Sequence, residues 1–242
     1  MKKTLLFLAL FSLTVGAHAY ENSLDGLLKT HVKTVNKSGI QYNAVNYQAW
    51  GKDPRHAQVR DQILKQNADN LKTKDQKLAY WINAYNVLTI DLITKENETK
   101  SIKNLGTIFK SPWKSFSWNV NGKKLSLDTI EHRIIRKLNE PRIHFAINCA
   151  AKSCPDLRKE AYRANKLNAQ LQHQVNLTLS NTSKGFVKAN GNAVKVTKIM
   201  DWFSKDFNSG NINTWLQTYK KGIVNNNTKI SFLPYDWSLN KQ

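Results

Sequence analysis

The sequence predicts an α+β fold: a single domain in which helices pack on a small, mostly antiparallel sheet with hairpins. Three observations carry that expectation. Apolar residues recur at three-to-four spacing in several stretches, which gathers them on helix faces. Asn-Gly pairs at 121–122 and 190–191 sit between short strand-like runs, the mark of tight hairpins. The segment from Leu78 to Ile93 is apolar all round, as a central buried helix must be. With 242 residues, 40% hydrophobic and 10% aromatic, the chain has material for one core or at most two small ones.

Residues 1–19 read as a leader: the lysine pair Lys2 and Lys3, an apolar run from Leu5 to Val15, and the small-residue exit Ala17-His18-Ala19. No later stretch reaches the ~18 uninterrupted apolar residues of a membrane helix. The expectation is a globular domain over residues 20–242, periplasmic or secreted after cleavage near Ala19, with no transmembrane segment. In that oxidising setting the two cysteines, Cys149 and Cys154, can form a bridge or serve as working thiols. No Walker A loop, G-x-G-x-x-G, C-x-x-C, H-E-x-x-H or G-x-S-x-G occurs. No cofactor is implied, and the common zinc hydrolases and elbow-type serine hydrolases are disfavoured.

Leu24, Leu27, Leu28, His31, Val32 and Val35 predict a helix over 23–36 that ends near Gly39, and a second helix runs through Val59, Ile63 and Leu64. A capping box, Thr73-Lys74-Asp75-Gln76, opens the central apolar helix, where Asn83 and Asn86 lie i,i+3 on one side. Buried amides there need partners, in the core or in a site. After the first hairpin, Ser126 caps a helix of about Leu127 to Leu138, whose apolar stripe holds Glu131 at its middle and His132 at its edge. A carboxyl in that position must be paired, hydrogen-bonded or protonated.

Pro141 ends that helix, and Arg142 to Cys149 alternates like a strand, placing Arg142 and His144 on one face and Cys149 on the other. Pro155 then reads as the first residue of a helix capped by Cys154, a place that favours a thiolate, although the neighbouring Asp156 opposes it. Leu167, Leu171 and Val175 mark a further helix with His173 facing solvent. A second hairpin surrounds Asn190-Gly191, Ile199 to Phe207 forms an aromatic helix, and Ile230 to Asn240 is extended.

Several blocks in order, Trp81-Ile82-Asn83-Ala84-Tyr85-Asn86, Ile130-Glu131-His132, Arg142-Ile143-His144-Phe145-Ala146, Asn148-Cys149 and Ser153-Cys154-Pro155, resemble the family catalogued as domain of unknown function 547. Asp201-Trp202-Phe203-Ser204-Lys205-Asp206-Phe207 and Tyr235-Asp236-Trp237-Ser238-Leu239-Asn240 resemble its closing segments. Met200-Asp201 departs from the aromatic or apolar pair expected there. The resemblance implies one globular domain of mixed helix and strand, often exported in bacteria, and puts Asn83, Tyr85, Asn86, Glu131, His132, Arg142, His144, Cys149 and Cys154 in signature segments. It carries no established activity.

These residues admit three arrangements. In a thiol-dependent hydrolase or acyl transferase acting on amides or esters, Cys149 or Cys154 is the nucleophile and His132 or His144 the base. Glu131, Asn83 or Asn86 then orients the imidazole, and Tyr85 and Arg142 complete the binding set. Alternatively Cys149 and Cys154 form a structural disulfide and Glu131 pairs with Arg142 or a backbone amide. In the third, His144, Cys149 and Cys154 bind metal with His132 or Glu131, at a spacing that matches no standard site.

The formal charge is +20, or +18 without the leader, and it suits a non-catalytic accessory protein that binds anionic envelope polymers or surfaces. The lysines are dispersed and no nucleic-acid motif accompanies them, so no specific nucleic-acid partner is expected. Partner and substrate are otherwise unassigned, a protein or an envelope polymer being the classes considered.

Overall fold

The computed structural model of the protein describes residues 19–242. The predicted leader falls outside them apart from Ala19. Helix α1 (Ala19–His31) buries Leu24, Leu27 and Leu28, but it stops short of the predicted end. Val32–Lys37 is instead strand β1, paired antiparallel with β2 (Ile40–Val45). Val32, Thr34 and Val35 are β-branched and favour strand, and Ser38 and Gly39, at φ 54° and 76°, turn the chain.

Helices α2 (Tyr47–Lys52) and α3 (Pro54–Lys65) follow, capped by the side chains of Asn46 and Asp53. The predicted capping box opens α4 (Lys74–Lys95), which is buried continuously from Leu78 to Ile93. Elements before and after it pack around this helix, which is the axis of the molecule. A short helix α5 (Pro112–Ser115) leads into the hairpin of β3 (Trp118–Val120) and β4 (Lys123–Leu125), turned by Asn121-Gly122 as predicted.

The predicted helix from Leu127 to Leu138 is present in three parts: α6 (Leu127–Thr129), a π-helical stretch Ile130–Ile135, and a 3-10 turn Arg136–Leu138. The strand expected over 142–149 does not form. Pro141–Phe145 is a 3-10 turn, fixed at its start by Pro141 and by the Glu140 carboxylate accepting from the Arg142 N–H. The helix expected from Pro155 is also absent. Asp156, which could have served its first turn, accepts from the Asn43 N–H and the Lys184 ammonium instead.

Helix α7 (Leu167–Ser180) precedes the hairpin of β5 (Phe186–Ala189) and β6 (Ala193–Val196), to which β7 (Lys229–Phe232) adds in parallel. Between them lie α8 (Ile199–Trp202) and α9 (Ile212–Gln217), with a 3-10 turn Ser204–Asp206 where the aromatic helix was expected to continue. The fold is α+β. Among the described residues the strands make three small sheets, and α4 takes the central, buried place that its sequence predicts. One large apolar cluster surrounds α4, and a smaller one joins α7, the last sheet, Phe207 and Trp215. Ile143 and Ala146 belong to the first and Phe145 to the second, so the segment before the cysteines lies at the seam.

The end of the chain stitches this seam. Lys152 N–H donates to Ser238 O (2.9 Å), Asn240 N–H to Ala150 O (2.9 Å), Leu239 N–H to Lys100 O (2.7 Å), and Val45 N–H to Asn240 O (2.8 Å).

Candidate active site

The two cysteines are brought together by a reversal that α4 holds in place. The Asn86 side chain donates to Ala146 O (3.0 Å) and accepts from the Asn148 N–H (2.8 Å). Asn148 in turn accepts from the Ala150 N–H and donates to Pro155 O. Ala150, fully buried at φ 61°, makes the turn; a non-glycine residue tolerates this region only where its surroundings impose it. The sulfurs of Cys149 and Cys154 end 2.8 Å apart, against about 2.05 Å in a disulfide. Both thiols are free, so the expected structural bridge is not made.

The pair is asymmetric. Cys154 is buried, whereas Cys149 is half-buried and reaches the Tyr235 hydroxyl at 3.0 Å. Burial opposes the Cys149 thiolate, but hydrogen bonds from Cys154, Tyr235 and the Ala151 amide outweigh it and hold its pKa below the ordinary thiol value. Burial, and then the proximity of Cys149, drive the Cys154 thiol well above it. Of the two, Cys149 is the thiol whose ionised form the surroundings favour.

Both sulfurs line a cleft of about 310 Å3 with Glu131, His132 and His144. The absence of the predicted strand explains how His144 and Cys149, expected on opposite faces, share one wall. Burial raises the Glu131 carboxyl from 4.5 to about 7, against a lowering hydrogen bond from Tyr85. His144 Nε2 lies 2.8 Å from Asp206, its ring stacks on Phe203 at 4.0 Å, and its buried Nδ1 has no partner among the described residues. Burial lowers the pKa of His144, while Asp206 opposes that shift. His132 stands at the rim, its Nδ1 2.9 Å from Arg136, and burial lowers its pKa too. Hydrogen bonds from His144 and Arg136 hold the Asp206 carboxyl below the usual range.

Tyr85 joins this wall, but three other predicted site residues do not. Asn83 donates to Tyr162 O and accepts from the Tyr162 N–H, fixing the chain beyond the cysteines. Asn86 anchors the cysteine loop without facing the cleft. Arg142 pairs with Glu140 (2.7 Å) and not with Glu131. Sequence reasoning gave no site role to Asp206, Arg136, Tyr235 or Trp237, and it read Trp202 and Phe203 as part of an aromatic helix. Their signal was present, because Trp202, Phe203, Asp206, Tyr235 and Trp237 all lie in the two closing segments. Trp113, Trp202 and Trp237 form an aromatic rim, with Trp237 5.7 Å from Trp113 and 5.6 Å from Trp202.

Among the described residues no group of three or more His, Cys, Asp or Glu side chains is arranged to hold a metal ion. No described helix is long and apolar enough to cross a membrane. A larger hollow of about 760 Å3 beside His56, Arg60 and Asp91 has no cysteine among the described residues that line it. Its buried Asp91 is satisfied by His56, Arg60 and the Trp118 N–H.

No curated protein and no solved structure matches the chain. A family model does, over residues 68–177, the stretch that supplies α4, Glu131, both histidines and both cysteines of the cleft. Over that stretch the chain matches the family described as Protein of unknown function, DUF547.

Proposed function

We propose that the cleft performs nucleophilic thiol chemistry, as a hydrolase or acyl transferase acting on an amide or ester, and that the protein works after export. The observation that supports this most is the activation of Cys149 by the buried Cys154 thiol and the Tyr235 hydroxyl. The Cys149 thiolate attacks the carbonyl carbon, an S–C bond forms, and the C–N or C–O bond to the leaving group breaks. The departing amine or alcohol takes the proton of Glu131, which holds one near neutral pH. Glu131 then accepts a proton from water or a second nucleophile, which attacks the thioester and releases Cys149. The aromatic rim supports the flanking part of the substrate.

The 2.8 Å sulfur pair favours a second reading, thiol–disulfide exchange. Cys149 attacks a substrate disulfide, one substrate thiolate leaves, and Cys154 resolves the mixed disulfide by closing a transient bridge. The substrate is reduced by two electrons and the pair oxidised by two.

Intact-mass analysis separates the readings. Activated acyl esters should leave an acyl adduct on the wild type and on Cys154→Ala, but not on Cys149→Ala. Glutathione disulfide should instead accumulate as a stable adduct on Cys154→Ser if exchange is the reaction. Neither adduct forming would overturn thiol catalysis and leave a basic, non-catalytic binding protein of the envelope.

A further inference from the structure

Outside the cleft, the feature that nothing in the fold explains is the turn 107–110. Ile108 and Phe109 stand at its tip, 92% and 91% exposed. The turn is built rather than loose. Thr107 N–H donates to Lys110 O (2.8 Å), and Thr107 Oγ1 accepts from the Lys110 and Phe109 amides. At its base Gly106 lies so close to Pro112 that an added Cβ would meet the ring at 2.8 Å. Apolar side chains held in water on a fixed turn make a contact waiting for a partner.

The charge around the turn says what kind of partner. Residues 99–127 contain six lysines and no Asp or Glu. Lys100, Lys103, Lys110 and Lys114 are exposed on the stretch that carries the turn. That stretch runs directly into Trp113 and Lys114 at the cleft, whose rim also includes Trp202, 43% exposed. Apolar tip, flanking cations and tryptophans at one mouth are what an anionic lipid surface selects: headgroups attract the lysines, and the acyl boundary takes the tip and the indoles. An anionic polymer would use the lysines and leave Ile108 and Phe109 bare.

We propose that the turn 107–110 is an interfacial anchor that seats the mouth of the cleft on an anionic lipid surface. The anchor stands on exposure and charge, independently of the reaction assigned to Cys149.

Co-sedimentation of the purified protein tests it, with vesicles of mixed phosphatidylcholine and phosphatidylglycerol and with vesicles of phosphatidylcholine alone. Binding to the mixed vesicles should exceed binding to the neutral ones and weaken with salt. The double variant Ile108→Ser/Phe109→Ser, which loses no internal packing, should bind about tenfold or more weakly, with its circular dichroism and rate of Cys149 alkylation unchanged. Lys103→Gln/Lys110→Gln should lose part of the salt dependence. Absence of binding to the mixed vesicles overturns the proposal and turns the turn over to a protein partner. Salt-sensitive binding that the double variant retains in full overturns it as well, because lysine adsorption alone then accounts for the contact.

Discussion

Replacing Glu131 by Gln should make the protein more stable relative to the wild type as pH rises, and the size follows from the burial of this carboxyl. Its pKa is about 7 in the folded chain against 4.5 ordinarily. Below pH 4.5 both states carry the proton, and the group contributes no pH dependence. Between 4.5 and 7 the unfolded chain releases the proton while the folded chain keeps it, so wild-type stability falls across this window. The interval corresponds to about 3 kcal/mol at 1.36 kcal/mol per pH unit, an upper bound because burial of a mobile carboxyl relaxes. Glutamine keeps the shape and cannot ionise. The difference in unfolding free energy between Glu131→Gln and wild type, measured by urea denaturation at pH 4 and pH 8, should therefore shift by about 2–3 kcal/mol in favour of the variant at the higher pH. The charge on Glu131 also opposes the Cys149 thiolate, so alkylation of Cys149 in the variant should begin at lower pH. An unchanged stability difference at the two pH values would refute the buried, proton-holding carboxyl.

Tyr235→Phe removes a hydrogen bond to the Cys149 sulfur, and the midpoint of Cys149 alkylation should rise by about one pH unit or more. Cys154→Ala should move it in the same direction. Asn86→Ala strands Ala146 O and the Asn148 N–H in the core, so urea denaturation should show a loss of about 2–4 kcal/mol. Asp206, whose pKa is depressed by His144 and Arg136, contributes stability that is present above its ordinary value of 3.8 and lost as acid protonates it. The stability gap between wild type and Asp206→Asn should thus be full at pH 6 and shrink on acidification below about pH 4.

Wherever local chemistry decided the structure, the sequence was a sufficient guide. Thr73 and Gln76 cap α4, Asn121-Gly122 turns its hairpin, and Glu131 inside an apolar stripe is buried, hydrogen-bonded by Tyr85 and raised in pKa. It misled where distant groups decided. The alternation from Arg142 to Cys149 reads as a strand, yet the backbone there is claimed by Asn86 from α4 and by Glu140. Val32 and Val35 fit a helical stripe and a strand equally well, and Gly39 settled the matter by allowing a hairpin. Tyr235 and Asp206 carried no periodic signal as site residues, and only their place in the closing segments marked them. Each acts on a group 62 to 86 positions away, and no periodicity encodes that distance.

The stitching around Tyr235 gives the environment of Cys149 a place in time. Tyr235 reaches Cys149 across 86 positions, and the segment that carries it is pinned to Ala150, Lys152, Lys100 and Val45 by its final backbone bonds. A nascent or partly threaded chain that already contains both cysteines still lacks the hydroxyl that stabilises the thiolate. That hydrogen bond therefore forms only once the segment around Tyr235 has been made and docked, after both cysteines are in the chain. Until then Cys149 lacks one of the hydrogen bonds that lower its pKa, and a molecule cut short before Tyr235 keeps both cysteines without that bond.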